Sequence, residues 1–124
     1  MLLNPEITVW LYKDRVDMRK SIDGLSIIVA GNMAKNPSSG EIFLFFNKGA
    51  DKIKILYWDR NGFCLWYKRL ETSRFKIPKY ESITYEQLRW LLDGLDISTV
   101  NGYKKSQYQN FFLKLTPIFM LFLH

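Results

Sequence analysis

Cations and aromatic side chains alternate along residues 51–70, DKIKILYWDRNGFCLWYKRL. Every second side chain of an extended strand points to the same side, so a hairpin here would gather both kinds on one face. That face would carry Lys52, Lys54, Trp58, Phe63, Tyr67 and Arg69. Cations neutralise phosphate and rings stack on bases, so the face could bind nucleic acid. The alternative is that a helix covers the rings while the cations reach solvent at the rim.

The predicted nucleic-acid-binding residues combine this hairpin with basic residues on either side of it. Arg19 and Lys20 fall in the first turn of a predicted helix, where cations oppose the macrodipole and so suggest an external partner. The predicted phosphate contacts are Arg19, Lys20, Lys52, Lys54, Arg60, Lys68, Arg69 and Arg74, with Trp58 and Tyr67 as stacking partners. The alternative is a solvated basic surface without a ligand.

Residues for catalysis are poorly represented. His124 is the sole histidine and stands at the end of the chain, so no histidine-dependent triad or zinc site is predicted. A metal nuclease would have to use carboxylates such as Asp14, Asp17 and Asp59, which have structural explanations in turns and caps. No glycine-rich phosphate loop occurs. We therefore predict no enzyme, no catalytic residue, no metal and no cofactor.

The hairpin that positions the basic and aromatic face is predicted from Asn61-Gly62. This dipeptide favours a two-residue turn with positive φ at both positions. Counting outward from that loop pairs Trp58 with Leu65 and Lys54 with Arg69. The opposite face of the hairpin, which includes Ile53, Ile55, Tyr57 and Trp66, is predicted to be core.

The remaining pattern predicts three strands or strand-like runs and two helices. Residues 7–12 and the apolar run 42–46 are predicted strands, and 71–77 is a predicted loop or edge segment. An apolar stripe predicts a helix from Met18 to about Met33, capped by Asp17. Thr84 and Gln87 form a capping box for a second helix that ends near Gly94.

These elements predict the α+β class: an antiparallel sheet of about four strands, a meander with the Asn-Gly hairpin, packed with two helices. We expect the first helix across one face and the second at an edge or on the same face. The predicted domain spans residues 1–97, and 98–124 is a predicted linker and apolar tail. The tail is too short and too interrupted to predict a membrane span.

Length and charge agree with one folded domain that favours anionic partners. The chain has 124 residues, a formal net charge of +6 and a pI near 9.5. A single cysteine, Cys64, gives no sign of an oxidising compartment, and the first residues do not resemble a secretory signal. We therefore expect a cytoplasmic protein.

Three ordered motifs resemble a known family. They are DMRKSIDGL at 17–25, WDRNGF at 58–63 and YKRLE at 67–71, within a similarity that extends over residues 9–96. They resemble TnpB, the accessory protein from the second open reading frame of bacterial insertion sequences of the IS66 family. The resemblance implies an accessory role in transposition beside a separate transposase. The tail after Asn101 lies outside it, and the 47–51 turn is less basic than is usual in the family.

Two functions follow as expectations. The first is a non-catalytic transposition factor that binds transposon DNA through the basic and aromatic hairpin face. The alternative is a protein-interaction module that assembles with the element's transposase or other accessory protein without contacting DNA. That module would use exposed Trp58, Tyr67 and Trp90 as anchors. No membrane partner is expected.

Overall fold

The computed structural model describes residues 6–99, and the α+β class is confirmed. The elements are β1 (Val9–Leu11), α1 (Ile22–Ala30), β2 (Ile42–Phe46), β3 (Lys52–Asp59), β4 (Gly62–Arg69), β5 (Ser82–Ile83), α2 (Tyr85–Leu92) and a 3-10 turn at Ile97–Thr99. No helix among these residues is long and apolar enough to cross a membrane. The predicted apolar tail, from residue 100 onward, lies outside the described residues.

One five-stranded sheet has the order β4-β3-β2-β1-β5. The predicted meander β2-β3-β4 is confirmed, with antiparallel pairing throughout. The prediction of about four antiparallel strands missed two features. β5 adds a short antiparallel edge, and β1 runs parallel to β2. Parallel pairing arises because α1 connects β1 to β2 and returns the chain to the starting end of the sheet.

Helices cover both faces of the sheet, and the central strand is apolar on both of its sides. All five residues of β2 are fully buried and alternate between two clusters. Phe43 and Phe45 pack beneath α1, whereas Leu44 packs with Leu88 and Leu91 of α2 on the opposite side. The prediction that α2 lies at an edge or on the α1 face was wrong. A strand that is apolar on both sides needs a cover on each, and α2 supplies the second.

The hairpin forms, but its register differs from the predicted one by two residues. Asp59 pairs with Gly62 and Trp58 with Phe63, so Arg60 and Asn61 form the loop. The positive φ belongs to Arg60, at 54°, and not to Gly62. Burial could not distinguish the two registers, because a shift of two residues leaves every side chain on the same face. The predicted division of residues between the two faces is therefore confirmed.

The two helices differ in how well their starts could be predicted. The capping box of Thr84 and Gln87 is confirmed, as is the turn at Gly94 with φ 84°. Asp17, however, does not cap α1. Its carboxylate accepts hydrogen bonds from the backbone and side chain of Arg19, and this local turn delays the helix to Ile22.

Candidate nucleic-acid interface

Three loops converge at one end of the sheet, and two of them are rich in cations. Parallel β1 and β2 both end there, β3 begins there, and β4 ends there before the chain returns to β5. Loops 12–21, 47–51 and 70–81 therefore share this end, which we call the basic end. Backbone hydrogen bonds hold these loops in place. The N–H of Val16 donates to the carbonyl of Phe46, and the N–H of Phe75 donates to the carbonyl of Ala50. The cations here are Lys13, Arg15, Arg19, Lys20, Lys48, Lys52, Arg69, Arg74, Lys76 and Lys79.

Three of the predicted phosphate contacts at the basic end form ion pairs, and those of Arg19 and Arg69 are exposed. Arg19 binds Asp17 at 2.6 Å and Lys52 binds Asp51 at 3.2 Å. Arg69 binds Glu71 at 3.0 Å. The Arg19 hydrogen bonds lower the pKa of Asp17 to about 2. The exposed pairs of Arg19 and Arg69 contribute only about 0–1 kcal/mol each, so a phosphate can replace the carboxylate there at little cost. Lys52 and Asp51 are half-buried.

Two predicted phosphate contacts have structural roles instead. The Lys54 ammonium donates to the carbonyl oxygens of Met18 at 2.8 Å and Lys20 at 2.7 Å, holding the loop before α1 against β3. The Lys68 ammonium donates to the carbonyl of Leu92 at 3.1 Å, at the last residue of α2. A cation at that position satisfies an orphan carbonyl and complements the helix dipole. Both ammonium groups are therefore committed within the fold.

The remaining predicted cations divide between the two ends of the sheet. Lys20 and Arg74 are exposed at the basic end, and within the described residues their side chains make no ion pair or hydrogen bond. Arg60 lies in the hairpin loop at the opposite end, 3.7 Å from Asp59. Eight residues of β4 separate the two ends, about 25 Å, so Arg60 cannot join the same local cluster.

The hairpin face itself is open only near the basic end. Leu56 is fully buried beneath α1, and Trp58 is half-buried with its ring packed edge-on against Phe63 at 5.0 Å. Tyr67 is 48% exposed, and the Lys54 ammonium lies 5.6 Å from its ring centroid. The helix-covered alternative thus holds for the middle of the face. Among the predicted rings, only Tyr67 is exposed beside the basic end.

Sequence reasoning missed part of the basic end. Lys13, Arg15 and Lys79 stand outside the hairpin and were not among the predicted phosphate contacts. Their placement depends on the parallel pairing of β1 with β2, which brings the β1–α1 loop beside the open end of the hairpin. The signal available in the sequence was the recurrence of cations in every segment that connects at this end.

The carboxylates considered for a metal site do not converge. Across residues 6–99, no group of three or more histidine, cysteine or acidic side chains could hold a metal ion. Asp17 is held by Arg19, and Asp59 is buried in the hairpin beside Arg60. Cys64 is free and half-buried on β4. These residues are explained by their local structural contacts.

Comparison with known proteins places this small α+β protein among the accessory proteins of insertion sequences. The family described as IS66 Orf2-like protein matches residues 7–102, and the chain belongs to that family. The uncharacterized protein y4hO of Sinorhizobium fredii is 33% identical over 94 residues, which cover 73% of this chain and 82% of that protein. The uncharacterized protein y4jC of the same organism is 33% identical over 89 residues, covering 68% and 76%. No solved structure matches.

Proposed function

We propose that this protein binds the DNA of an insertion sequence through its basic end and acts as a non-catalytic accessory factor in transposition. The observation that carries the proposal is the convergence of lysines and arginines at one end of the sheet, most of them in loops 12–21 and 70–81. Charge concentrated on one end attracts a phosphate backbone more strongly than the same charge spread evenly. The family supports the accessory role, and the element's DNA would place the protein in the cytoplasm.

The proposed contacts follow from which cations remain available. Lys20 and Arg74 would bind phosphate directly, because neither has an ion-pair or hydrogen-bond partner for its side chain among residues 6–99. Arg19 and Arg69 would exchange their exposed carboxylate partners for phosphates, and half-buried Lys52 would exchange Asp51. Contacts of this type position a protein on DNA without reading its sequence.

Removing the two unpaired cations should weaken duplex binding. We expect Lys20→Ala with Arg74→Ala to reduce affinity for element-end duplex DNA about thirtyfold at 0.15 M salt, and to lower the slope of log K against log salt by about 1.8. Fluorescence anisotropy with a labelled duplex measures both quantities. Circular dichroism verifies that the variant is folded.

A matched variant removes two cations of the same basic end that lie farther from the hairpin, Lys13→Ala with Lys79→Ala. We expect it to lose less than threefold of the duplex affinity. Equal losses of duplex affinity in the two variants would mean that net charge determines binding, and not the positions of Lys20 and Arg74. No loss in the Lys20 and Arg74 variant would contradict the proposed contacts.

A second candidate function is assembly with the element's transposase through the outer edge of β4. This eight-residue strand ends the sheet, and among residues 6–99 no other strand pairs with its outer side. The backbone N–H of Leu70 donates to the carbonyl of Asp51 and so points toward β3. Successive N–H groups of a strand alternate in direction, so the outward ones are those of Phe63, Leu65, Tyr67 and Arg69. Such a free edge can accept a strand from another protein.

Proline at position 67 tests this edge. Tyr67→Pro removes an outward N–H, whereas Tyr67→Ala removes the same ring and keeps the N–H. We expect co-purification with the transposase to fall at least tenfold for Tyr67→Pro and to persist for Tyr67→Ala. Equal retention of the transposase by both variants would exclude strand addition at this edge. Equal loss would assign the contact to the ring.

A further inference from the structure

A groove crosses the end of β1 on the side of the sheet away from the hairpin. Two adjoining cavities, of about 260 Å³ and about 350 Å³, share Leu11, Tyr12, Lys13 and Glu81 as lining residues. Loop 32–35 forms one wall and segment 77–81 forms the other. The second wall is fixed in place because Leu11 donates its backbone N–H to the Glu81 carbonyl at 3.0 Å. The larger volume lies at the lower end of the ~300–1,000 Å³ typical of ligand sites, and the smaller one lies just below that range.

The groove is lined by more cations than anions. Lys13, Arg15 and Lys79 line it, and among the described residues none of them has an ion pair or a side-chain hydrogen bond. Lys35 also lines the groove, but its ammonium is held 3.6 Å from the centroid of the Trp10 ring. Glu81 is the one acidic lining residue in these two cavities. Three cations therefore remain available to an anionic ligand.

Aromatic rings stand among these cations. Tyr80 is 46% exposed where segment 77–81 borders the groove. Tyr12 forms part of the floor, with its ring packed against Phe45 at 5.9 Å and its hydroxyl beside Asp14. Buried Phe45 supports the Tyr12 ring from within the core. The groove thus combines a fixed ring, an exposed ring and unpaired cations, the features that bind single-stranded nucleic acid.

We propose that this groove binds an unpaired segment of DNA, with phosphates held by Lys13, Arg15 and Lys79 and a base stacked on Tyr80. The proposal rests on the proposed DNA binding and adds a second, strand-specific site. Bases in a duplex present their faces to neighbouring base pairs, so a ring in a groove can stack only on an unpaired base. Transposition of a DNA element is the setting in which we expect such a strand.

The experiment measures anisotropy of a labelled thymidine 12-mer and of a duplex of equal length with the full-length protein. We expect Lys13→Ala with Lys79→Ala to lose about tenfold of the single-strand affinity and to lower its salt slope by about 1.4. The control, Arg60→Ala, removes an exposed cation at the opposite end of the sheet that does not line the groove. It should change single-strand affinity less than threefold.

Stacking is tested at one position by two substitutions. Tyr80→Ala should reduce single-strand affinity about tenfold, whereas Tyr80→Phe, which keeps the ring, should remain within twofold of the wild type. The groove proposal is overturned if the groove variants match the control variant, or if they weaken duplex binding as much as single-strand binding. Duplex binding that is lost only in the Lys20 and Arg74 variant would then leave the proposed function intact.

Discussion

Phe45→Ala is expected to lower the free energy of unfolding by about 3–5 kcal/mol, the largest effect of any substitution considered. Phe45 has no exposed surface and lies in the central strand, beneath α1 and against the Tyr12 ring. Truncation removes a large apolar side chain and leaves a cavity that surrounding strands cannot fill. Urea denaturation followed by circular dichroism measures the change.

The control for Phe45 is an apolar residue on the helix that covers it. Ile27 is 70% exposed on α1, so Ile27→Ala should change the free energy of unfolding by less than about 0.5 kcal/mol. A loss of under 1 kcal/mol for Phe45→Ala would contradict the burial of β2 on its α1 face. A large loss for Ile27→Ala would indicate that this side chain is buried in an assembly.

Lys54→Met should lower the free energy of unfolding by about 2–3 kcal/mol. Methionine keeps a side chain of similar length, but the carbonyls of Met18 and Lys20 lose a charged donor. The loop that carries Arg19 would then be less firmly held against β3. Because the Lys54 ammonium serves the fold, duplex affinity should change less than threefold at a temperature where the variant remains folded.

Lys52→Met is the matched control, since Lys52 lies two residues away on the same strand face, and among residues 6–99 its ammonium binds only adjacent Asp51. Lys52→Met should lower the free energy of unfolding by less than about 1 kcal/mol. Equal costs at the two positions would mean that the Lys54 hydrogen bonds contribute little. A large loss of duplex affinity in folded Lys54→Met protein would return Lys54 to the set of phosphate contacts.

Single helices and strands could be predicted from the sequence because capping boxes, apolar runs and alternation are patterns of neighbouring residues. The capping box at Thr84 predicted the start of α2, and the five-residue apolar run predicted strand β2 with its observed bounds. Alternation assigned hairpin residues to the correct faces. The same alternation could not select the register, because the two candidate registers bury identical side chains.

Other features depended on contacts that the sequence does not encode locally. Asp17 looked like an N-cap, but Arg19 two residues later captures its carboxylate. Lys54 and Lys68 looked like phosphate ligands, and only the tertiary structure brings backbone carbonyls to their ammonium groups. The parallel placement of β1, which creates the basic end, joins segments about thirty residues apart and carries no local signature.

The most direct test of DNA binding through the basic end is the salt dependence of wild-type affinity for element-end duplex DNA. With about five phosphates contacted, the slope of log K against log salt should be close to −4.5. The Lys20 and Arg74 variant should bind with a slope nearer −2.7 under the same conditions. A duplex that fails to bind at micromolar protein in low salt, or binds with a slope near zero, would contradict the account.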